Sequence, residues 1–476
     1  MNKSFFLLLA LFFCFQIQAQ IADSTLVETD EEILDTVRVF IPENGIQNNQ
    51  AMLSFYDKLM AIGTANNSAI PKKINIVHIG DSHIQADLLT DKVRKNLQNV
   101  FGNAGRGLVF PHSLAKTNGA SAIRFSSNKS WQNHRIVSVP DGSPVGLSGI
   151  ALYANNNDFA IALQTKEVAD AFNTIKIITP KNQNRFDLAT AKKIIVFEAT
   201  VPKKIVHKIK SGEAISIIAD KYNVSISAIK KANGLRSNTI RAGKSLKIPT
   251  NEKQQKKIER TEFIPLEIQS DTFSHFYKSE ASLNEIYLIP NKSDNYFALN
   301  GVVLENNASG ILYHSIGVNG AKLSDYNKYP MFFEQLQALQ PDLVIIALGT
   351  NESFDNKNGD DYMNELDLFL ESVRAQNGNV AVLVVTPPPS LFKRKYPNLF
   401  VADYAKKISE YAEQKNYAVW DLFSQFGGLY GVRRNFNKGL IANDRIHYSK
   451  AGYEAQGDLL SEAILKTFEN YQKTKR

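Results

Sequence analysis

Two patterns of apolar and polar positions share this chain. From Ile74 to Ile79 a compact apolar run has strand character and ends at Gly80-Asp81-Ser82. A helical pattern follows, carried by Ile84, Leu88, Leu89, Val93 and Leu97. Upstream, Leu53, Tyr56, Leu59 and Met60 predict a short amphipathic helix over 49–62. Buried-strand runs recur late, at Leu343–Leu348, Val380–Val385 and Ala418–Leu422. Helical patterns lie between and around them, at Met331–Leu339, Tyr362–Gln376 and Tyr404–Lys415, and Ala451–Tyr471 closes the chain as a helix. Alternating strand and helix predicts an α/β fold with a parallel sheet and a site at the strand C-termini.

From about 112 to 310 the pattern changes. Short β-type runs alternate with Asn, Ser and Gly turns: Gly149–Tyr153, Phe159–Leu163, Thr174–Ile178, Lys193–Glu198, Glu285–Ile289 and Tyr296–Leu304. This predicts an antiparallel β-sandwich. It interrupts the α/β domain, because the first strand precedes it and the others follow. Within it, 203–250 reads as strand (Val206–Ile209), helix (Ala214–Tyr222), helix (Ser227–Ala232) and strand (Ser245–Ile248).

The N-terminus bears on compartment. Lys3, the apolar run Phe5–Phe15 and Ile17-Gln18-Ala19 read as a secretory signal peptide cleaved near Ala19. The run is too short to span a bilayer. Cys14, the only cysteine, lies inside it, so the mature chain is expected to lack disulfides and thiolate metal sites. Leu11-Phe12-Phe13 lacks the small residue of a lipoprotein signal. Residues 20–44 are acidic (Asp30-Glu31-Glu32) and read as a flexible leader. The division is therefore a signal peptide at 1–19, the leader at 20–44, and an α/β domain split into two stretches, 45–112 and 311–476. The inserted sandwich occupies 113–310, with the nested module at 203–250. The expectation is an exported protein, periplasmic or associated with the cell envelope, with no stable membrane insertion.

Composition adds less. With 476 residues, 43% hydrophobic and 21% charged, disorder and coiled coil are excluded as the main architecture. The net charge of +8 is local: residues 203–247 hold eleven Lys and Arg against Glu213 and Asp220. Tyr222 is the only Phe, Tyr or Trp there, which argues against base stacking and a nucleic-acid partner.

The candidate chemistry is nucleophilic. Ser82 sits at a strand-to-helix turn, which exposes a side chain and aims backbone N–H groups at a developing oxyanion. A serine needs a base, and Asp444-Arg445-Ile446-His447 offers one. The Asp-x-x-His spacing lets the carboxylate hold Nδ1–H and leaves Nε2 for the serine proton. His83 and His78 rank below His447, and Asp81 reads as a structural hydrogen-bonder.

At these residues the chain resembles the SGNH (GDSL-like) hydrolase family. Gly80-Asp81-Ser82 matches its first block, Gly317-Val318-Asn319-Gly320-Ala321 its second, Gly349-Thr350-Asn351-Glu352 its third, and Asp444-x-x-His447 its last. The resemblance covers about 71–112 and 311–470. It implies a flavodoxin-like three-layer α/β/α domain with Ser82, Asp444 and His447 as catalytic triad. The oxyanion hole would comprise Ser82, Gly320 and Asn351, and a shifted second-block register would use Gly317 instead. No metal and no cofactor is implied. Residues 203–250 resemble a βααβ LysM domain, which binds N-acetylglucosamine-containing glycans such as peptidoglycan. Its groove maps to Gly212, Glu213, Ala214, Asn233, Gly234 and Leu235, with Glu213-Ala214 replacing the usual Asp-Thr. The stretch Gly80–Asp87 and the approach Asn300–Glu305 resemble peptidoglycan O-acetylesterases that carry a jelly-roll-like insert. The expectation is an exported esterase removing O-acetyl groups from peptidoglycan. The alternatives are an esterase or acyltransferase on another acylated envelope polysaccharide or lipid, and a non-catalytic glycan-binding protein.

Overall fold

The computed structural model describes residues 41–63, 71–138, 140, 142–197, 200–203, 205–249, 252–255, 258–291 and 294–475. The expected signal peptide with Cys14, and the leader through residue 40, lie outside the described residues.

Six strands form the central sheet: β1 (Ile46–Gln47), β2 (Lys73–Gly80), β3 (Gly310–Gly317), β4 (Leu343–Ala347), β5 (Ala381–Val385) and β6 (Ala418–Trp420), in the order β1-β6-β5-β4-β2-β3. β2 to β6 run parallel, and β1 pairs antiparallel with β6 at the edge. The five parallel strands follow the flavodoxin-like order, whose switch point lies between β2 and β4.

Strand alternation divides the core into two layers. Ile74, Ile76, Leu343, Ile345 and Leu383 pack with Phe55, Val93, Leu97 and Leu460 from the helices Leu53–Gly63, Leu88–Phe101 and Lys450–Lys475. Val77, Ile79, Val344, Ile346 and Val384 face the other way, onto Leu366, Phe369 and Ile408 of the helices Gly359–Asn377 and Leu399–Tyr411. Burial on both faces is why these strands read as unbroken apolar runs. The result is a three-layer α/β/α domain.

The inserted segment is β-rich. One five-stranded sheet runs Phe263–Pro265, Phe186–Ala191, Glu285–Pro290, Ile161–Thr165, Ile123–Ser127. A second runs Gln269–Ser270, His275–Leu283, Phe172–Ile178, Gly301–Glu305, Gly107–Val109. A third, of three strands, pairs Phe297–Leu299, Ile150–Ala154 and Gln132–Arg135. Leu163, Leu188, Ile177 and Val302 share one hydrophobic cluster with Val77 and Val344. The sandwich core is thus continuous with one face of the α/β domain. Gly107–Val109, ahead of residue 113, already pairs with Gly301–Glu305.

Within the insert, Ile205–Lys208, Ile215–Lys221, Ile226–Asn233 and Ser245–Ile248 form a βααβ unit around Ile218, Ile229 and Leu246. Pro202 pairs with Lys253 at its base, so the chain enters and leaves side by side.

Four sequence expectations are corrected. Lys193–Glu198 forms no strand among its described residues; the neighbouring Phe186–Ala191 does. Ile195 and Phe197 do face a small apolar cluster, but Ile194 is 85% exposed and the described residues 193–197 join none of the sheets. The run Tyr296–Leu304 splits at Asn300 between two sheets, because Asn300 is buried with its amide donating to Pro144 O and its N–H to Ile178 O. The helical pattern after Ser82 breaks into Ser82–Gln85 and Leu88–Phe101 at Asp87 (φ 58°). There the buried carboxylate gathers Thr90, Arg94 and Arg106, which fixes the left-handed turn. Finally, Asn44, at the end of the expected leader, is pinned to the domain by Leu459 O and by the Trp420 indole.

Candidate active site

Register brings three loops to one level. Gly80, at the end of β2, pairs with Gly317 of β3 and with Ala347 of β4. The chain therefore leaves three adjacent strands at the same edge, into Asp81-Ser82, Val318–Ala321 and Leu348–Asn351. Two glycines allow this crowding. A Cβ on Gly80 would lie 2.4 Å from Ile84 Cγ1 and 2.7 Å from Ala347 O. A Cβ on Gly317 would lie 2.2 Å from Gln85 N.

Ser82 opens the four-residue helix Ser82–Gln85, and Asp81 caps it by accepting the His83 N–H at 2.9 Å. An amide at the first helical position has no intrahelical acceptor.

Ser82, His447 and Asp444 meet. Ser82 Oγ is 2.9 Å from His447 Nε2, and His447 Nδ1 is 2.7 Å from Asp444 Oδ2. Asp444 Oδ1 also accepts the N–H groups of Ile446 and His447, each at 2.9 Å. Partial burial pushes the Asp444 carboxyl up, but the His447 ring and the two amides outweigh it, so it lies below the ordinary carboxylate range. The loop is held by Ala442 N–H on His447 O and by Tyr448 OH on Pro389 O. The His447 side chain keeps 41% exposure, so solvent and substrate reach it.

His83 does not compete as base. It is buried, bonded through Nδ1 to Tyr453 OH, and its ring lies 5.4 Å from that of His447. Burial and the His447 charge hold it down to about 3. His78, on β2, bonds Tyr313 OH instead.

Asn351 joins the loops. Its amide donates to Asp81 Oδ2 at 3.1 Å and to Ala321 O at 3.0 Å, which engages both amide hydrogens. Gly320, next to Ala321, is exposed at φ 82° with open space around its Cα, whereas Gly317 is packed on the backbone of Gln85. Two buried carboxyls flank Asn351. Burial pushes Asp81 up to about 7 despite the His83 amide, and Glu352 up to about 7 despite the Leu323 amide.

Three features escape a reading of the sequence. Gln85 accepts the Asn319 N–H at 2.6 Å and donates to Thr117 Oγ1 and Asn118 O, so it ties the Asn319-Gly320 turn to the start of the insert. Its position three residues after Ser82, on the same helical face, was the available signal. Glu352 was visible only within its motif. A short hairpin, Leu391–Phe392 with Tyr396–Pro397, presents Lys393 and Arg394 to the cleft that holds Ser82 and His447. That cleft has a volume of about 340 Å³.

In the βααβ unit the six groove candidates divide. Glu213 is bonded by His207 Nε2 and by Lys210 N–H, each at 2.7 Å, and the latter first and then the former hold its carboxyl low. Asn233 binds both Lys247 O and Lys247 N–H, pinning the last strand. Gly212 (φ 84°) and Gly234 (φ 65°) are turn residues in open space. Ala214 caps the helix Ile215–Lys221, and Leu235 packs on the small core. The side chains of Glu213 and Asn233 thus brace the two loops.

Among the described residues, no three His, Cys, Asp or Glu side chains converge as metal ligands, and no helix is long and apolar enough to cross a membrane.

Two families match parts of the chain. Residues 292–455 match the GDSL-like Lipase/Acylhydrolase family, and residues 207–249 match the LysM domain. The chain carries a GDSL-like acylhydrolase domain and a LysM domain. It is an ester-hydrolysing enzyme. The acylhydrolase match begins after most of the insert, so it omits the first block around Ser82. The solved structure described as "Peptidoglycan O-acetylesterase in action, 5 min" shares the fold, with 20% identity, a TM-score of 0.59, and coverage of 90% of this chain and 99% of that one. Smaller matches include a lipase/acylhydrolase from Enterococcus faecalis (20% identity, TM-score 0.27, 33% of this chain and 76% of that one). A carbohydrate esterase family 3 protein from Talaromyces cellulolyticus also matches (17% identity, TM-score 0.26, 33% and 72%). No curated protein matches the chain by sequence.

Proposed function

We propose that this acylhydrolase is an exported O-acetylesterase of peptidoglycan, held on the glycan by its LysM domain. The observation that carries the reading is the unbroken hydrogen-bond series Ser82–His447–Asp444 at an open cleft, in a chain that also contains a LysM domain. The full-length similarity to a peptidoglycan O-acetylesterase, insert included, supports the choice of substrate.

In this mechanism Ser82 Oγ attacks the acetyl carbonyl carbon while His447 Nε2 takes its proton. Asp444 holds Nδ1–H and stabilises the imidazolium that forms. The oxyanion is received by the Ser82 and Gly320 N–H groups and by the Asn351 amide. Asn351 has no third hydrogen, so its donation requires release of Asp81 or Ala321 O. His447 then protonates the departing sugar oxygen. It next activates a water that cleaves the acyl-enzyme to acetate. The LysM domain raises the local substrate concentration and leaves the chemical step unchanged.

Acetate release from purified O-acetylated peptidoglycan tests the proposal. Release by the wild type and none by Ser82→Ala is the expected result. No release by either, with both still sedimenting with the wall, overturns it.

A further inference from the structure

We infer that the acyl ester cleaved at Ser82 is carried on an anionic sugar chain, and that Lys393 and Arg394 select it. The inference rests on the esterase reading above and names its substrate class.

The cleft of about 340 Å³ is lined by Ser82 and His447 at the reacting end, by Phe354 on one wall and by Lys393 and Arg394 on another. Among the described residues lining it none is acidic. Both cations are solvent-exposed, and the Lys393 ammonium lies over the Phe392 ring, 5.3 Å from its centroid.

The backbone that presents them is unusual. Lys393 (φ 52°) and Arg394 (φ 61°) are consecutive left-handed residues, and neither is glycine, asparagine or aspartate. Such residues carry a steric cost that persists where the surroundings over-determine it. Here the turn is closed by Arg394 N–H on Leu391 O and Lys395 N–H on Phe392 O, each at 3.1 Å. The hairpin is fixed to the cleft by the stack of Phe392 on Phe354 (5.8 Å, 25°) and by Leu391 N–H on Arg445 O, within the Asp444–His447 loop. The two cations are therefore tied to the same elements that hold Asn351 and His447.

Two positive charges in a concave site attract and orient a negative group. The planar Arg394 guanidinium matches a carboxylate fork. The geometry fits a sugar chain whose substituents carry carboxylates near the scissile ester. A neutral acetylated polysaccharide gives the cations nothing to bind, and an acyl lipid calls for an apolar channel.

The test compares the wild type with the Lys393→Gln/Arg394→Gln double variant on three substrates. These are O-acetylated muropeptides with free stem-peptide carboxylates, per-O-acetylated chitotriose, and 4-nitrophenyl acetate. The ratio of KM for muropeptide to KM for acetylated chitotriose is expected to rise about tenfold in the double variant, the size of two solvent-screened ion pairs. Added salt should raise that ratio in the wild type and not in the variant. A ratio unchanged by the substitutions, in a variant with the wild-type thermal midpoint, overturns the inference alone. Wild-type inactivity on all three substrates overturns the esterase reading, and this inference with it.

Discussion

Replacing Asp444 with Asn tests the triad without dismantling its loop. In the wild type, Asp444 Oδ1 accepts two backbone N–H groups and Oδ2 accepts His447 Nδ1–H at 2.7 Å. Asparagine keeps one oxygen for the two amides, so the loop retains its shape and stability falls by about 1 kcal/mol or less. The other position becomes an NH₂ group facing Nδ1. Two donors cannot face each other at that distance, so the imidazole turns to the tautomer with its hydrogen on Nε2. That nitrogen then donates to Ser82 Oγ and cannot take its proton. Such an exchange in a serine triad lowers kcat by about 10⁴, or roughly 5.5 kcal/mol of transition-state stabilisation. The assay is 4-nitrophenyl acetate hydrolysis at neutral pH, with the thermal midpoint measured alongside. A correctly folded Asp444→Asn enzyme within tenfold of the wild type would refute the role given to Asp444.

Other outcomes follow from particular contacts. Ser82→Ala should abolish turnover yet sediment with the wall as the wild type does. Excising 203–250 should lower activity on insoluble wall and spare small soluble acetyl esters, because Pro202 and Lys253 already pair and the flanking chain ends lie side by side. Gln85→Leu removes the acceptor of the Asn319 N–H, so kcat should drop about tenfold, a fraction of the value of one oxyanion-hole donor, with KM nearly unchanged. Glu352 is fully buried and titrates near 7 in the fold against 4.5 as an ordinary glutamate, so the folded state holds the proton more tightly. The Glu352 contribution to stability is then fully present below about pH 4.5 and is lost as pH rises through 7, up to about 3 kcal/mol. Because buried Asp81 and His83 also bend the profile, the check is the difference between wild type and Glu352→Gln: across pH 5 to 8 the thermal midpoint of the variant should gain on that of the wild type as pH rises.

The α/β domain was legible because its strands are buried on both faces. Runs such as Ile74–Ile79 and Leu343–Ala347 have no other reading at their length between helical patterns. Asp-x-x-His was equally legible, since an aspartate three residues before a histidine can reach its ring within one loop. The βααβ unit was local in the same sense, a single supersecondary motif closed by its own two-stranded ladder. The insert was less so. The run 193–198 has alternating apolar residues, yet its described part, 193–197, joins no sheet, and pairing is not a local property. The unforeseen strand Gly310–Gly317 sits at the sheet edge beside β2, a place that only the crossover fixes.

Short-range information in the chain was enough for the alternating strands and helices, the serine turn, and the pairing of Asp444 with His447, because each depends on neighbours within a few positions. Folding supplied what remained. Only the register of β2 with β3 and β4 puts Ser82, Gly320 and Asn351 at one edge, and only the folded chain spans the 365 positions from Ser82 to His447 with a 2.9 Å hydrogen bond. The same holds for Asn351 with both amide hydrogens engaged, and for Lys393 and Arg394 in the cleft. Contacts between residues far apart in sequence carry no periodic signature, because what sets them is packing.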